Sequence, residues 1–175
     1  MEVRKSALVR QSASTMFDLI EAAEHYPQFL PWCAGARIRE RDARVVVADI
    51  DIEYRGWRFA ITTRNPKERP HFMAITLERG PFRRFEGSWH LKELTEDACK
   101  VEFRMDYDFA NPLIGRLAAP MFDHAANSLV DAFVARAGQM NTLPQPLHLR
   151  ETGLAAFPAV NRPDIPAEKG NDELV

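Results

Sequence analysis

Residues 101–139 read VEFRMDYDFANPLIGRLAAPMFDHAANSLVDAFVARAGQ, and inside this run the spacing of apolar side chains changes. Val101, Phe103, Met105, Tyr107 and Phe109 alternate with Glu102, Arg104, Asp106 and Asp108. A period of two is the pattern of a strand with one buried face. After Asn111 the apolar positions become Ile114, Leu117, Ala118, Met121, Phe122, Ala125, Leu129, Ala132 and Phe133, a single stripe on a helix ending near Gln139. Asn111-Pro112 suits its start, with Asn as cap and Pro at the first helical position. Pro120 removes a backbone hydrogen bond, so a kink or split is expected near residues 116–120.

Upstream the period of two recurs. Val46, Ala48, Ile50, Ile52 and Tyr54 alternate with Val47, Asp49, Asp51 and Glu53; Trp57, Phe59, Ile61 and Thr63 alternate with Arg58, Ala60, Thr62 and Arg64; and Phe85, Gly87, Trp89 and Leu91 alternate with Glu86, Ser88, His90 and Lys92. Arg4–Val9, Ala36–Glu40 and Phe72–Glu78 complete the expected strands. Arg55-Gly56, the stretch from Pro66 to Pro70, Gly80-Pro81-Phe82 and Glu96-Asp97 read as turns. Near the N-terminus, Ser12-Ala-Ser-Thr offers cap hydroxyls to a short helix running to about Glu24. Pro27 and Pro31 leave room for only a helical turn between Tyr26 and Cys33.

One antiparallel sheet with one buried face needs a covering layer, and the long C-terminal helix is the element available. The fold class is therefore α+β, a helix-grip arrangement in which a curved antiparallel sheet wraps a long C-terminal helix over residues 1–143. Residues 144–175 hold five of the 12 prolines and no periodicity, and are expected to be a loosely ordered tail. The inward side carries Tyr54, Trp57, Phe59, Phe85, Trp89, Phe103, Met105, Tyr107 and Phe109, facing a helix whose stripe is rich in alanine. A slim helix under a curved sheet can leave an apolar gap of the kind that holds lipophilic ligands. A filled core fits the same periodicity, and from periodicity alone it is the simpler account.

A net charge of -2 gives no default attraction to nucleic acid, and DNA is not an expected partner. Cys33 and Cys99 are too few for a disulfide framework or a four-ligand metal site, and read as free thiols of a reducing compartment. No stretch approaches a membrane span, and the first residues lack a signal-peptide core. The expected location is cytoplasmic, with membrane contact no more than peripheral.

The order of elements resembles the START-related, birch-pollen-allergen-like superfamily that includes polyketide cyclases. Within it, Tyr26-Pro-Gln-Phe-Leu-Pro-Trp-Cys33 resembles the signature of the coenzyme Q-binding and ribosome-association-toxin branch. Thr63-Arg-Asn65, Gly80-Pro-Phe82, the Trp89 strand, Cys99-Lys-Val-Glu-Phe103 and the Ala132-Phe133 to Arg136-Ala137 end of the helix add to the likeness. It spans about residues 4–140. The resemblance implies a bound isoprenoid lipid such as ubiquinone in a cavity between sheet and helix, in support of respiratory electron transfer or quinone synthesis. It also implies two alternatives: a protein that binds the large ribosomal subunit and blocks subunit association, and an aromatase or cyclase. Pro120 and the residues after Leu143 depart from the family pattern.

The expected ligand-contacting residues are Phe29, Trp32, Tyr54, Phe59, Phe85, Trp89, Phe103, Met105, Leu117, Met121 and Phe122. Phe29 and Trp32 would form a rim, although a rigid connector explains their segment as well. Asn111–Phe122 would be a lid or a membrane-touching piece, against the plainer reading of a kinked helix. Gly80-Pro81-Phe82 reads more simply as a turn than as a gate. No catalytic residue or metal ligand is assigned: His25, His71, His90, His124 and His148 are scattered, and His90, Asp106 and Asp108 alternate outward. The inward positions read as nearly all apolar, which disfavours acid–base chemistry. Arg37, Arg39, Arg41 and Arg44, and then Arg79, Arg83 and Arg84, form two basic groups suited to RNA or lipid head groups, or to the defence of a strand edge.

Overall fold

The computed structural model describes residues 1–54 and 56–142. The expected tail from Pro144 onward lies outside the described residues, as do Arg55 and the side chain of Tyr54. Seven strands, β1 (Glu2–Val9), β2 (Cys33–Arg41), β3 (Val45–Tyr54), β4 (Trp57–Glu68), β5 (Phe72–Arg79), β6 (Phe82–Thr95) and β7 (Ala98–Phe109), form one antiparallel sheet. The order across it is β1-β7-β6-β5-β4-β3-β2, so hairpins build everything except the first connection. That connection carries α1 (Ala13–Glu21) and a 3-10 turn (Ala23–Gln28) from one edge of the sheet to the other. The long helix α2 (Pro112–Thr142) then lies on the face holding the core.

Each helix starts where its side chains can serve the free backbone N–H groups. Ser12 Oγ accepts from the Thr15 N–H at 3.1 Å, and Asn111 Oδ1 accepts from those of Leu113 and Ile114 at 2.9 and 3.4 Å. The hairpin between β3 and β4 turns at Gly56, whose φ of +85° suits a residue without a Cβ. At Gly87 of β6 a Cβ would lie 2.6 Å from the Arg104 carbonyl oxygen, so glycine lets β6 and β7 close up in the middle of the curved sheet.

Three features differ from the sequence reading. The helix is not split at Pro120: α2 runs continuously through it. Pro120 and Arg116 are both exposed, so the Arg116 carbonyl that loses its partner can turn to water. The chain does not turn at Pro66 either. β4 continues to Glu68, and the turn into β5 comes at Arg69-Pro70-His71. Its pairing to β5 steps from Arg64 with Thr76 to Lys67 with Met73, leaving out Asn65 and Pro66, where proline has no N–H to give. Trp57, read as inward, is 39% exposed at the start of β4.

Candidate functional site

Between the sheet and α2 lies a cavity of about 90 Å³. Its wall is drawn from α1, β3 to β7 and the middle of α2, and it is dominated by Ile, Val, Met and aromatic side chains. An apolar cavity of roughly 150 Å³ holds benzene, and pockets for larger ligands run to roughly 300 Å³ and above. The present cavity is therefore smaller than one that holds benzene, and even a single ring needs it to widen.

Six of the expected residues line it: Trp32, Phe85, Trp89, Phe103, Met105 and Phe122. The rest sit elsewhere. Phe29 packs edge-on against Tyr26 and Phe133 and carries the Arg136 guanidinium over its ring, so it braces the 3-10 turn on α2. Phe59 stacks beside Phe82 and Phe122 outside the wall. Met121 is buried in the core without reaching the cavity. Leu117 is 56% exposed, because the apolar stripe of α2 begins before the sheet surface it could cover. Tyr54 falls among the side chains outside the description.

Sequence reasoning missed the polar part of the wall. Glu21, Thr63 and Asn65 line the cavity together with Tyr26. Thr63 is the last inward position that the sequence reading gives, and Asn65 and Lys67 continue that alternation of β4 beyond it. Following that alternation for two more steps would have found them. Buried Lys67 is bonded through Nζ to Glu21 Oε1, and Glu21 also faces Arg41 at 3.5 Å. At the other end of the same strand Phe59 meets Phe122 of α2. Glu21, Thr63 and Asn65 thus line the cavity from α1 and the later part of β4, and Phe85 and Phe122 line it on the side nearer the start of α2.

The polar groups differ in how far they are already engaged. Tyr26 Oη donates to the Ile20 carbonyl at 2.5 Å, and burial holds its phenol well above the usual tyrosine range. Asn65 Nδ2 donates to Thr63 Oγ1 at 3.2 Å. Among the described residues, Trp32 Nε1 and Asn65 Oδ1 are buried without any hydrogen-bond partner. Nearby Cys33 is buried and its thiol is pushed up to about 11 by desolvation, which keeps it protonated and unreactive at neutral pH. Tyr107 Oη donates to Asp123 Oδ1 at 2.5 Å, tying β7 to α2; burial first, and then that carboxylate, raise its pKa.

The two arginine groups are threaded with carboxylates. Arg37 and Arg39 both meet Asp49, at 2.9 and 3.0 Å, and Arg41 meets Glu24 at 2.7 Å. Arg83 and Arg84 pair with Asp108 and Asp106. These outward Asp side chains thus balance charge on the convex surface. Among the described residues no three His, Cys, Asp or Glu side chains gather as a metal site requires. No described helix is long and apolar enough to cross a membrane.

The family model described as "Polyketide cyclase / dehydrase and lipid transport" matches residues 9–134. A ribosome association toxin of Pseudomonas aeruginosa is 36% identical over 138 residues, covering 79% of this chain and 96% of that protein. A mitochondrial coenzyme Q-binding protein of Schizosaccharomyces pombe is 25% identical over 142 residues, covering 77% of this chain and 85% of that protein. Among solved structures, a START superfamily protein of Mycobacterium smegmatis superposes with a TM-score of 0.63 at 22% identity, covering 79% of this chain and 98% of its own. The helix-grip architecture is the shared feature.

Proposed function

The chain belongs to the polyketide cyclase / dehydrase and lipid transport family, and from that membership together with its cavity we infer that it binds a hydrophobic small molecule. The observation that carries this reading is a largely apolar cavity, between a curved sheet and an alanine-bearing helix, with a few polar atoms in its wall. Such a site orients a ligand that has an oxygenated head and an apolar remainder. A prenylated quinone such as ubiquinone fits that description, and a relative is named as a coenzyme Q-binding protein. The ring would enter this cavity as it widens. The isoprenoid chain would widen it toward the start of α2, and each CH₂-sized group removed from water contributes about 0.8 kcal/mol. The protein would act as a carrier or chaperone without covalent chemistry, in the cytoplasm or at the edge of a membrane, in support of electron transport or quinone synthesis.

The second reading is a ribosome-binding inhibitor of subunit association, supported by the name of the toxin from P. aeruginosa. It draws on the convex arginines, whose carboxylate partners would have to be exchanged for phosphates. The third, a cyclase, would need an acid–base pair in the cavity. Thr63 and Asn65 are poor proton carriers there, and Glu21 is engaged with Lys67.

Native mass spectrometry and lipid extraction of the full chain, purified from its own host, test the first reading. Co-purifying quinone is the expected result. Ligand-free protein that sediments with large ribosomal subunits, and leaves them as salt is raised, would overturn it in favour of the second.

A further inference from the structure

Two successive inward positions of β4 set a hydroxyl and a carboxamide side by side in the cavity wall. Thr63 and Asn65 both line the cavity, and Asn65 Nδ2 donates to Thr63 Oγ1 at 3.2 Å. Thr63 is 2% exposed, and Asn65 Oδ1 is buried without a hydrogen-bond partner. Among the described residues the Thr63 hydroxyl proton meets no acceptor either. The pair therefore presents one free acceptor and one free donor. A half-turn of the carboxamide exchanges the roles and keeps the sum: Thr63 donates to Asn65 Oδ1, and Nδ2 is left free beside a Thr63 lone pair. Because one hydrogen bond joins the two groups, their free positions lie no more than about two hydrogen-bond lengths apart, within reach of a single ligand oxygen. Leaving them buried and unpaired costs free energy that a partner would return. The polar neighbours are already engaged, Tyr26 Oη on Ile20 and Glu21 Oε1 on Lys67. Trp32 Nε1, the other unpaired buried atom, belongs to the far end of β3: the Trp32 carbonyl accepts from the Glu53 N–H, whereas Asn65 lies opposite Val46.

We propose that the Thr63–Asn65 pair is a recognition site for one hydroxyl group, so that the cavity takes an apolar molecule carrying an alcohol or phenol. The ligand oxygen accepts from the Thr63 O–H, and the ligand O–H donates to Asn65 Oδ1. A hydroxyl both accepts and donates, so it serves both members of the pair. A carbonyl or ether oxygen only accepts, and it leaves one member unpaired. A hydrocarbon serves neither. Met73 and Ile75, from the adjacent strand β5, supply apolar wall for the rest of the molecule. Water can fill the same role in the empty protein, and a ligand hydroxyl replaces it without loss of hydrogen bonds. The assignment rests on the cavity being the ligand site and deepens that reading by giving the chemistry of the head. Between the two redox forms of a quinone, it favours the reduced one, whose oxygens carry protons.

The test is an NMR titration of the full chain with cyclohexanol, cyclohexanone and cyclohexane, one ring with three hydrogen-bonding capacities. The methyls of Met73 and Ile75 report binding. Thr63→Val and Asn65→Leu are each expected to weaken cyclohexanol by about tenfold, because each removes one of its two partners. Cyclohexanone, which the remaining polar group can serve, should change by no more than about threefold, and cyclohexane by no more than about twofold. Because either variant can disturb folding, the wild-type protein supplies a second readout. Its Asn65 carboxamide resonances should move with cyclohexanol and stay in place with cyclohexane, and these aliphatic rings add no ring-current shift to confuse the two. Equal losses for all three probes in both variants, or a carboxamide that ignores cyclohexanol while the methyls move, would overturn the hydroxyl site and leave the cavity reading standing. Methyls of Met73 and Ile75 unmoved by all three probes would overturn both.

Discussion

The first two turns of α2 and the turns that follow carry the same kind of apolar stripe and meet different fates. Leu113, Ile114 and Leu117 are 68%, 38% and 56% exposed, whereas Ala118, Met121, Phe122, Ala125, Leu129 and Phe133 are all buried. The later part is clamped at two places. Phe122 lies 4.5 Å from the Tyr107 ring and 5.1 Å from Phe82, with the Tyr107–Asp123 hydrogen bond beside it. Phe133 meets Trp89, Tyr26 and Phe29 at ring distances of 5.1 to 5.3 Å. The first turns have the Asn111 cap, and Gly115 set close to Phe109, but no aromatic clamp of their own. A stripe in sequence is thus a capacity for burial, and it is used only as far as the opposing surface reaches. The unused part precedes Phe122, the first residue of α2 to line the cavity.

That contrast breaks down if the two parts prove energetically alike. Phe133→Ala should cost about 3–5 kcal/mol in urea unfolding, while Leu117→Ala, at an exposed site, should stay within about 0.5 kcal/mol. Comparable losses would erase the distinction. Tyr107→Phe is expected to cost about 1–3 kcal/mol, because it leaves the Asp123 carboxylate without its buried donor. It should also raise amide exchange in the middle of α2; a neutral outcome would show that the clamp is the aromatic packing alone.

Hydrogen exchange sharpens the comparison without mutation. Amides of residues 113–119 should open more readily than those of 123–138, and equal protection would sink the idea that this piece gates the cavity. Pro120→Ala probes the same segment from the backbone side. Restoring an N–H for the Arg116 carbonyl should raise stability by up to about 3 kcal/mol and slow exchange in residues 113–119. Faster exchange there would mean that the proline stiffens the segment.

Much of this was legible beforehand, for physical reasons that also mark where legibility stops. The alternation from Val101 to Phe109 and the spacing from Ala118 to Phe133 each follow from one element facing one core, and they settled the helix-grip fold. Phe85, Trp89, Phe103, Met105 and Phe122 were placed at the site because large side chains on inward positions must meet in the middle, and Trp32 because it lies in the Tyr26–Cys33 segment read as a rim. Leu117 failed because periodicity says nothing about how far a partner surface extends. Phe29 failed because a rim and a brace look alike in a short Pro-bounded segment. Asn65 and Lys67 were missed because the inward run was ended at Thr63, ahead of a turn expected from Pro66 to Pro70, when a gap in pairing on one side of β4 accommodates the proline. Glu21 was invisible for a different reason: its partner Lys67 is 46 residues away.

The central claim is that the space between sheet and α2, not the outer surface, receives the hydrophobic ligand. Methyl NMR with a short-tailed benzoquinone tests this directly, because Ile61, Met73, Ile75 and Met105 line the cavity whereas Leu94 is exposed on the end of β6. The account predicts saturable shifts of those four lining methyls with Leu94 unmoved. Shifts confined to Leu94, or to the exposed Leu113 and Leu117, with the lining methyls unchanged, would contradict it.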